Sequence, residues 1–383
     1  MRKPTATRCS TQRSQSGVNE AAARQGAPIA PFLFPVAALA LLALTSCGQQ
    51  TVAPSAQSRS PGAEDEERIG QSARPAPPST QTDKAPFPFA FSDGLDRPVT
   101  LAKKPMRIIS LAPRNTESLF AIGAEKQIVG VTSQCNFPPE AKRIAQVGGF
   151  TVQSLSLEKI VGLQPDLVLT VGALHQPVID KLKRHGLTVV ALDADSLESL
   201  CRETKLLGRM TGHADQADAL IRRLRQRVEN VRKKARDIPR QERVTVFYQV
   251  WSQPLMSASR KSFIGEIIEL AGGENIAADF PARYPMISEE LIFRKNPDVI
   301  VAASHEFPSG EQPRIVAKPS WSNIKAVRNG RVHMIPGDAV SRCGPRFAEG
   351  LEAMAHALYP DHFPPVDPPV QASPREPTTR GRP

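Results

Sequence analysis

Apolar residues along this chain recur with two periods. Short runs of β-forming residues at 107–111, 128–132, 188–192 and 243–250 read as buried strands. Between them lie helical stretches with clear boundaries. Pro113 turns the chain and Asn115 is the expected cap of a helix that ends at Gly123, while residues 176–185 form a helix stopped by Gly186. Ser262 caps a helix ending at Gly272-Gly273, and Gly344-Pro345 opens a last helix that ends before Pro360. Asn329-Gly330 makes a tight turn into a strand over 331–335. Strands alternating with helices predict the α/β class, with a mostly parallel sheet covered on both faces.

One unit of this pattern occurs twice. Ser156-Leu-Glu158-Lys-Ile160-Val-Gly-Leu-Gln-Pro165-Asp166 leads into Leu-Val-Leu and returns as Ser288-Glu-Glu290-Leu-Ile292-Phe-Arg-Lys-Asn-Pro297-Asp298 before Val-Ile-Val. The serine is a helix cap, and the glutamate two residues on faces the orphan N–H groups of the first turn. The proline then ends the helix, because it has no N–H and drives the preceding residue out of the right-handed helical region. Two copies predict two similar lobes, each with a glutamate at an exposed helix start. By local chemistry alone, both carboxylates do no more than complement helix dipoles.

Between the lobes, Ser196 begins a helical region that runs to Asp237 and is broken or bent at Thr211-Gly212. Leu220, Leu224, Val228 and Val231 form one apolar stripe on a charged cylinder. A helix of some 25 residues spans about 38 Å, enough to run beside two lobes as a strut.

Composition changes the picture mainly at the ends. The 36 prolines concentrate before residue 115 and after 359, where apolar periodicity is absent. Basic residues precede an apolar segment at 29–44, too short and proline-broken to span a membrane comfortably but suited to a signal-peptide core. It closes in Leu44-Thr45-Ser46-Cys47, which is similar to a lipobox, where the cysteine is lipidated and becomes the new N-terminus; an ordinary signal sequence with a chance cysteine is the alternative. Residues 48–86 are too polar to bury a core and read as a disordered tether with a span of roughly 35 Å. The formal charge of +11 is partly that of the removable leader. The basic run at 222–236 alternates with apolar residues at helical spacing, so it reads as a solvated helix face and nucleic acid is not expected as a partner.

The assembled pattern resembles the substrate-binding proteins of bacterial ABC importers for cobalamin, haem and iron siderophores, over residues 95–360. The likeness rests on Arg107-Ile-Ile-Ser-Leu-Ala-Pro-Arg-Asn-Thr-Glu117, Val129-Gly-Val-Thr-Ser with Phe137-Pro-Pro-Glu-Ala141, Val147-Gly-Gly, Leu157-Glu158-Lys-Ile-Val with Pro165-Asp-Leu-Val, and Gly272-Gly-Glu-Asn275. It is closest to the cobalamin-binding members. The resemblance implies two Rossmann-like lobes joined by a long interlobe helix, the helical-backbone metal-receptor-like architecture. Its expected divisions are a leader at 1–47, a tether at 48–86, an N-terminal lobe at 87–195, the interlobe helix at 196–242, a C-terminal lobe at 243–363 and a disordered tail at 364–383.

The same resemblance implies a carrier that performs no chemistry and holds no cofactor, anchored by lipid at Cys47 on the periplasmic side of the cell envelope. Its partners are a corrinoid ligand and the permease and ATPase subunits of the importer. Glu158 and Glu290 are the implied permease-docking residues. Gln134, Phe150, Val171, Met256, Tyr284, Asp338 and Arg342 are the implied ligand contacts, on loops after the carboxyl ends of strands. Phe150 and Tyr284 keep an aromatic character suited to a large planar ring, whereas Gln134, Val171 and Met256 stand where cobalamin-binding members often carry aromatics. Asp338 and Arg342 either bond corrin amides or form an internal salt bridge. A haem ligand would look to Tyr284, and an anionic siderophore to Arg342 and Arg346. Cys135 and Cys343 sit in loops placed around the cleft and are either a possible disulfide or free buried thiols. Trp251 is a cleft or wall residue, Trp321 core or rim. No histidine pair has metal-ligand spacing, so no metal site is expected and the histidines read as surface residues. An α/β enzyme acting on a cobamide or ester is the reading from another class; the chain shows no G-x-S-x-G elbow and no phosphate loop.

Overall fold

A computed structural model describes residues 87–304 and 318–365. Cys47, the expected leader and tether and most of the expected tail lie outside the described residues. The described chain starts with an antiparallel hairpin, β1 (Phe89–Ser92) and β2 (Pro98–Leu101). Asp93 closes its turn, accepting from the backbone N–H groups of Leu95 (3.0 Å) and Arg97 (3.1 Å), and from Ala191 N (3.1 Å) in the neighbouring sheet. Burial pulls its carboxyl pKa up, but the Arg97 guanidinium and these backbone bonds outweigh it and hold the value below the ordinary one.

The first sheet is built from β3 (Ile108–Ser110), α1 (Pro113–Ala121), β4 (Ile128–Val131), α2 (Leu157–Gly162), β5 (Leu167–Val171), α3 (Gln176–Arg184) and β6 (Val189–Leu192). Two helices follow, α4 (Leu197–Thr211) and α5 (Ala214–Arg236). The second lobe contains β7 (Thr245–Gln249), the small hairpin β8 (Trp251–Ser252) and β9 (Leu255–Met256), α6 (Phe263–Leu270), β10 (Glu274–Asn275), α7 (Glu289–Lys295), β11 (Val299–Ala303), α8 (Lys325–Arg328), β12 (Val332–Ile335), α9 (Gly337–Ser341) and α10 (Phe347–Leu358).

Both main sheets are parallel. Their orders are β4-β3-β5-β6 and β10-β7-β11-β12, so each lobe arranges its strands second, first, third, fourth. Successive side chains sort by the period of two. Ile108, Leu167, Leu169, Val246, Tyr248, Val299 and Val301 face one large core that includes α4, α5 and α10. Ile109 and Val168 turn to a separate cluster with Ile160, Val178, Ile179 and Leu182. Phe247 and Ile300 turn to a third, with Ile292 and the fully buried Trp321, whose ring meets Phe247 edge-on at 6.1 Å. Trp321 is therefore a core residue.

The repeated unit folds alike in both lobes. Ser156 Oγ accepts from Lys159 N (3.3 Å) and Ser288 Oγ from Leu291 N (3.2 Å), each capping its short helix. The residues before the two prolines, Gln164 and Asn296, take left-handed φ values of 45° and 43°. The next residue ties the sheet. Asp166 accepts from Met106 N and Arg107 N, both at 2.9 Å, at the entry to β3, and Asp298 accepts from Thr245 N (2.8 Å) and Thr245 Oγ1 (2.7 Å) at the start of β7.

One local expectation is corrected, and of the two given for Thr211-Gly212 the break holds. Asn115 does not cap α1: Pro113 supplies the first turn itself, where its missing N–H costs nothing, and buried Asn115 donates to Thr170 O at 3.0 Å. The region from Ser196 is not one bent helix. Gly212 ends α4 with φ +75°, and α4 folds back along α5, shown by close packing of Gly208 on Ala217 and the Arg225–Glu198 ion pair at 3.0 Å. The strut is α5 alone, which is 23 residues or about 34 Å long and packs on α1 of the first lobe and on α6 and α10 of the second. Leu220, Leu224, Val228 and Val231 all face the core, as their spacing implies.

Candidate functional site

Open parallel sheets leave a crevice at the carboxyl ends of their strands, where the chain leaves in opposite directions. Here that crevice is a cleft of about 500 Å³ between the lobes. Ala112, Pro113 and Arg114 enter it after β3, Gln134 after β4, Val171 and Leu174 at the end of β5, and Asp193 and Asp195 after β6. The second lobe contributes Ser262, Phe263, Arg283, Tyr284, Ser341, Arg342 and Cys343.

Five of the seven expected contacts, Gln134, Phe150, Val171, Tyr284 and Arg342, line this one cleft. Met256 lines an adjoining hollow of about 300 Å³ with Tyr248, Val250 and Ile264, which shares Tyr284 and Ser341 with the cleft. Asp338 does not line the cleft; it pairs with Arg342 at 2.9 Å from behind. Trp251 stands half-exposed on β8, opposite Met256, with its Nε1 donating to Gln253 O at 2.8 Å, and belongs to neither cavity.

The aromatic walls are held differently. Phe150 rests on His175, ring centroids 5.2 Å apart, and its backbone carbonyl bonds His175 Nε2 at 2.8 Å. His175 is fully buried, which corrects the expectation of a surface histidine; burial lowers its pKa, only partly opposed by the Phe150 bond. Tyr284 keeps 37% of its surface exposed, yet desolvation at its phenol, reinforced by nearby Cys343, pushes its pKa up to about 12. At neutral pH it is a phenol and not a phenolate.

Every arginine in the cleft is already engaged. Arg114 donates to Glu203 (3.2 Å) and to Ala194 O (2.8 Å), and Arg283 pairs with Asp195. Arg342 donates to Glu117 Oε1 (2.9 Å) and Asn136 Oδ1 (2.9 Å), besides its bond to Asp338. Arg346 makes two more bonds to Glu117, at 2.8 and 2.9 Å, and lies over the Phe137 ring at 4.2 Å. Glu117 is 3% exposed on α1 of the first lobe, and both arginines come from the second. This buried interlobe network was not foreseen, since Glu117 is separated from its partners by more than 200 residues and no local pattern links them.

Cys135 and Cys343 are free thiols, so no disulfide joins them. Cys135 takes hydrogen bonds with Thr116 Oγ1 (3.1 Å) and Thr132 Oγ1 (3.2 Å) inside the first lobe, whereas Cys343 donates to Ser196 O at 3.7 Å. Burial, as the main cause, drives the Cys343 thiol up to about 12 and leaves it protonated.

Glu158 and Glu290 are exposed on α2 and α7 and have no ion-pair partner among the described residues. The neighbouring Glu289 is engaged, because Lys318 donates to it at 2.7 Å and, with Trp321, holds its carboxyl below the ordinary pKa.

Two lobes of one strand order, a helical strut and a cleft between them define a bilobal binding protein. Residues 108–339 match the family described as periplasmic binding protein, and the chain belongs to it. It is 33% identical over 283 residues to the uncharacterized ABC transporter substrate-binding lipoprotein YvrC of Bacillus subtilis, covering 72% of this chain and 87% of that one. It is 30% identical over 293 residues to a cobalamin-binding protein of Halobacterium salinarum, covering 74% and 79%. Among solved structures it is similar to the periplasmic heme-binding protein RhuT of Roseiflexus sp. RS-1, with TM-score 0.60, 25% identity and coverage of 67% and 98%. The chain is thus a substrate-binding protein of the ABC-importer type.

Proposed function

We propose that the protein captures cobalamin or a related corrinoid between its lobes, from a lipid anchor at Cys47, and delivers it to a permease through Glu158 and Glu290. The observation that carries the ligand reading is the internal pairing of Arg114, Arg283 and Arg342, each already matched by a carboxylate of the protein. Such a cleft offers no spare cation to an anionic siderophore. It suits a large ligand that is nearly neutral and rimmed with amides, which hydrogen-bond to charged side chains without displacing their partners. Phe150, Val171, Leu174, Phe263 and Tyr284 supply apolar and aromatic surface for a macrocycle. The cobalamin-binding relative agrees with this reading.

Haem is the competing ligand, favoured by Tyr284 in the cleft and by the heme-binding neighbour. The two propionates of a haem would meet arginines already matched by carboxylates of the protein, which weighs against it. Calorimetry of the soluble unit from residue 76 onward, titrated with cyanocobalamin, haemin and a ferric hydroxamate, tests the choice. Saturable micromolar or tighter binding of cyanocobalamin alone is expected; tight haemin binding without any cobalamin heat overturns the ligand and leaves the family intact.

A further inference from the structure

The two repeated helices share more than a carboxylate. Four residues after each capping serine stands a fully buried isoleucine, Ile160 or Ile292, which satisfies the core. Five residues after the serine stands an apolar side chain that faces solvent: Val161, 37% exposed, and Phe293, 42% exposed. Glu158 and Val161 are separated by three positions, as are Glu290 and Phe293, so each pair lies side by side on one helix face. A single exposed apolar residue needs no explanation. Here the same acid-then-apolar pair recurs at the same place in both lobes, and the fold requires neither member. In each pair the carboxylate also has no ion-pair partner among the described residues, the adjacent Glu289 having been taken by Lys318.

Resting on the docking reading above, we propose that each pair is a two-part foot for the permease. The carboxylate enters a cationic socket on a membrane subunit, and Val161 or Phe293 packs on an apolar rim of that socket. The rim excludes water around the ion pair, which strengthens an interaction that is weak when solvated. The occupant is a pair of similar sockets because the feet are similar. The feet are unequal in size, so the foot of the second lobe buries more apolar surface than that of the first.

Two experiments on the full-length protein in its native host test this. A photoreactive benzoylphenylalanine placed at 161 or at 293 is expected to crosslink to ABC permease subunits identified by mass spectrometry, while one at exposed position 183 is not. Crosslinks from 161 and 293 only to lipid or to unrelated proteins overturn the proposal. The variant V161S/F293S is expected to lower cellular uptake of labelled cyanocobalamin about tenfold or more, with Phe293→Ser the larger single effect. Its affinity for the ligand in solution is unchanged, and Phe293→Leu retains uptake. If E158A/E290A abolishes uptake and V161S/F293S does not, the apolar rim is wrong and the docking reading stands. If E158A/E290A takes up ligand normally, the docking reading falls and the feet fall with it.

Discussion

In both lobes four parallel strands run second, first, third, fourth, and in both a serine-capped helix leads through a proline and an aspartate into the third strand. Beyond those carboxyl ends the lobes part company. The first lobe offers the cleft Phe150 on a buried histidine, with Val171 and Gln134; the second offers Tyr284, Arg342 and an apolar hollow beneath Met256. The second also inserts the β8–β9 hairpin after its first strand, where the first lobe goes directly into α1. The sheet side of each lobe is constrained by packing on a shared core, and the loop side is not. A duplicated scaffold can therefore keep its frame while its two walls diverge to grip opposite faces of one ligand.

The comparison breaks most severely where the walls are joined. Glu117→Ala takes the common carboxylate from the half-buried Arg342 and Arg346 and leaves them only Asp338 among the described carboxylates; loss of one partner from a buried pair costs about 3 to 5 kcal/mol, which sets the upper bound here. Urea denaturation is expected to show a loss of that order, and a loss confined to tenths of a kcal/mol contradicts the network. A smaller effect separates the two strand ties. Asp298 bonds both the N–H and the hydroxyl of Thr245 and pairs with Lys325, while the more exposed Asp166 receives two backbone N–H groups. Asp298→Asn is expected to cost about 1.5 to 3 kcal/mol and Asp166→Asn less, by the same measurement. Burial raises the pKa of Asp298, but Lys325 and Thr245 more than offset that and hold it below 3.8. Its contribution is thus complete above the ordinary carboxylate range and is lost as the pH falls through the lowered value.

The smallest expected effect lies at His175 and touches only the first wall. Burial lowers its pKa from 6.5, so stability is full above that value and declines as the pH drops through it toward the lowered one. Over that interval the folded protein keeps His175 neutral, so ligand affinity is expected to hold while stability declines, and a His175→Gln variant is expected to flatten the stability slope. A wild-type stability that shows no decline as the pH falls below 6.5 contradicts the role.

Much of the frame was legible because its signals are local. Serine caps, prolines and runs of β-formers declare themselves within ten residues, and the repeat made the two-lobe plan visible. Asn115 was misread because Pro113 two residues earlier starts the same helix by another route. At Gly212 a bend and a full reversal have the same local signature; packing of Gly208 on Ala217 decides between them. The cleft was legible only in part. Gln134, Phe150, Val171, Tyr284 and Arg342 lie on loops that the resemblance located, but the partners of the cleft arginines come from α1, α4 and the segment after β6. Such pairings depend on how the lobes meet, and no spacing in the chain encodes them. The same holds for Cys135 and Cys343, each of which finds its hydrogen bond elsewhere.

The paired arginines also bear on how fast the ligand is caught. Because each is matched by a carboxylate, the cleft arginines add little net positive field of their own. For a nearly neutral ligand, encounter is then expected to be governed by diffusion and orientation, with an association rate that changes little with ionic strength. Retention then falls to shape and contact area rather than to net charge.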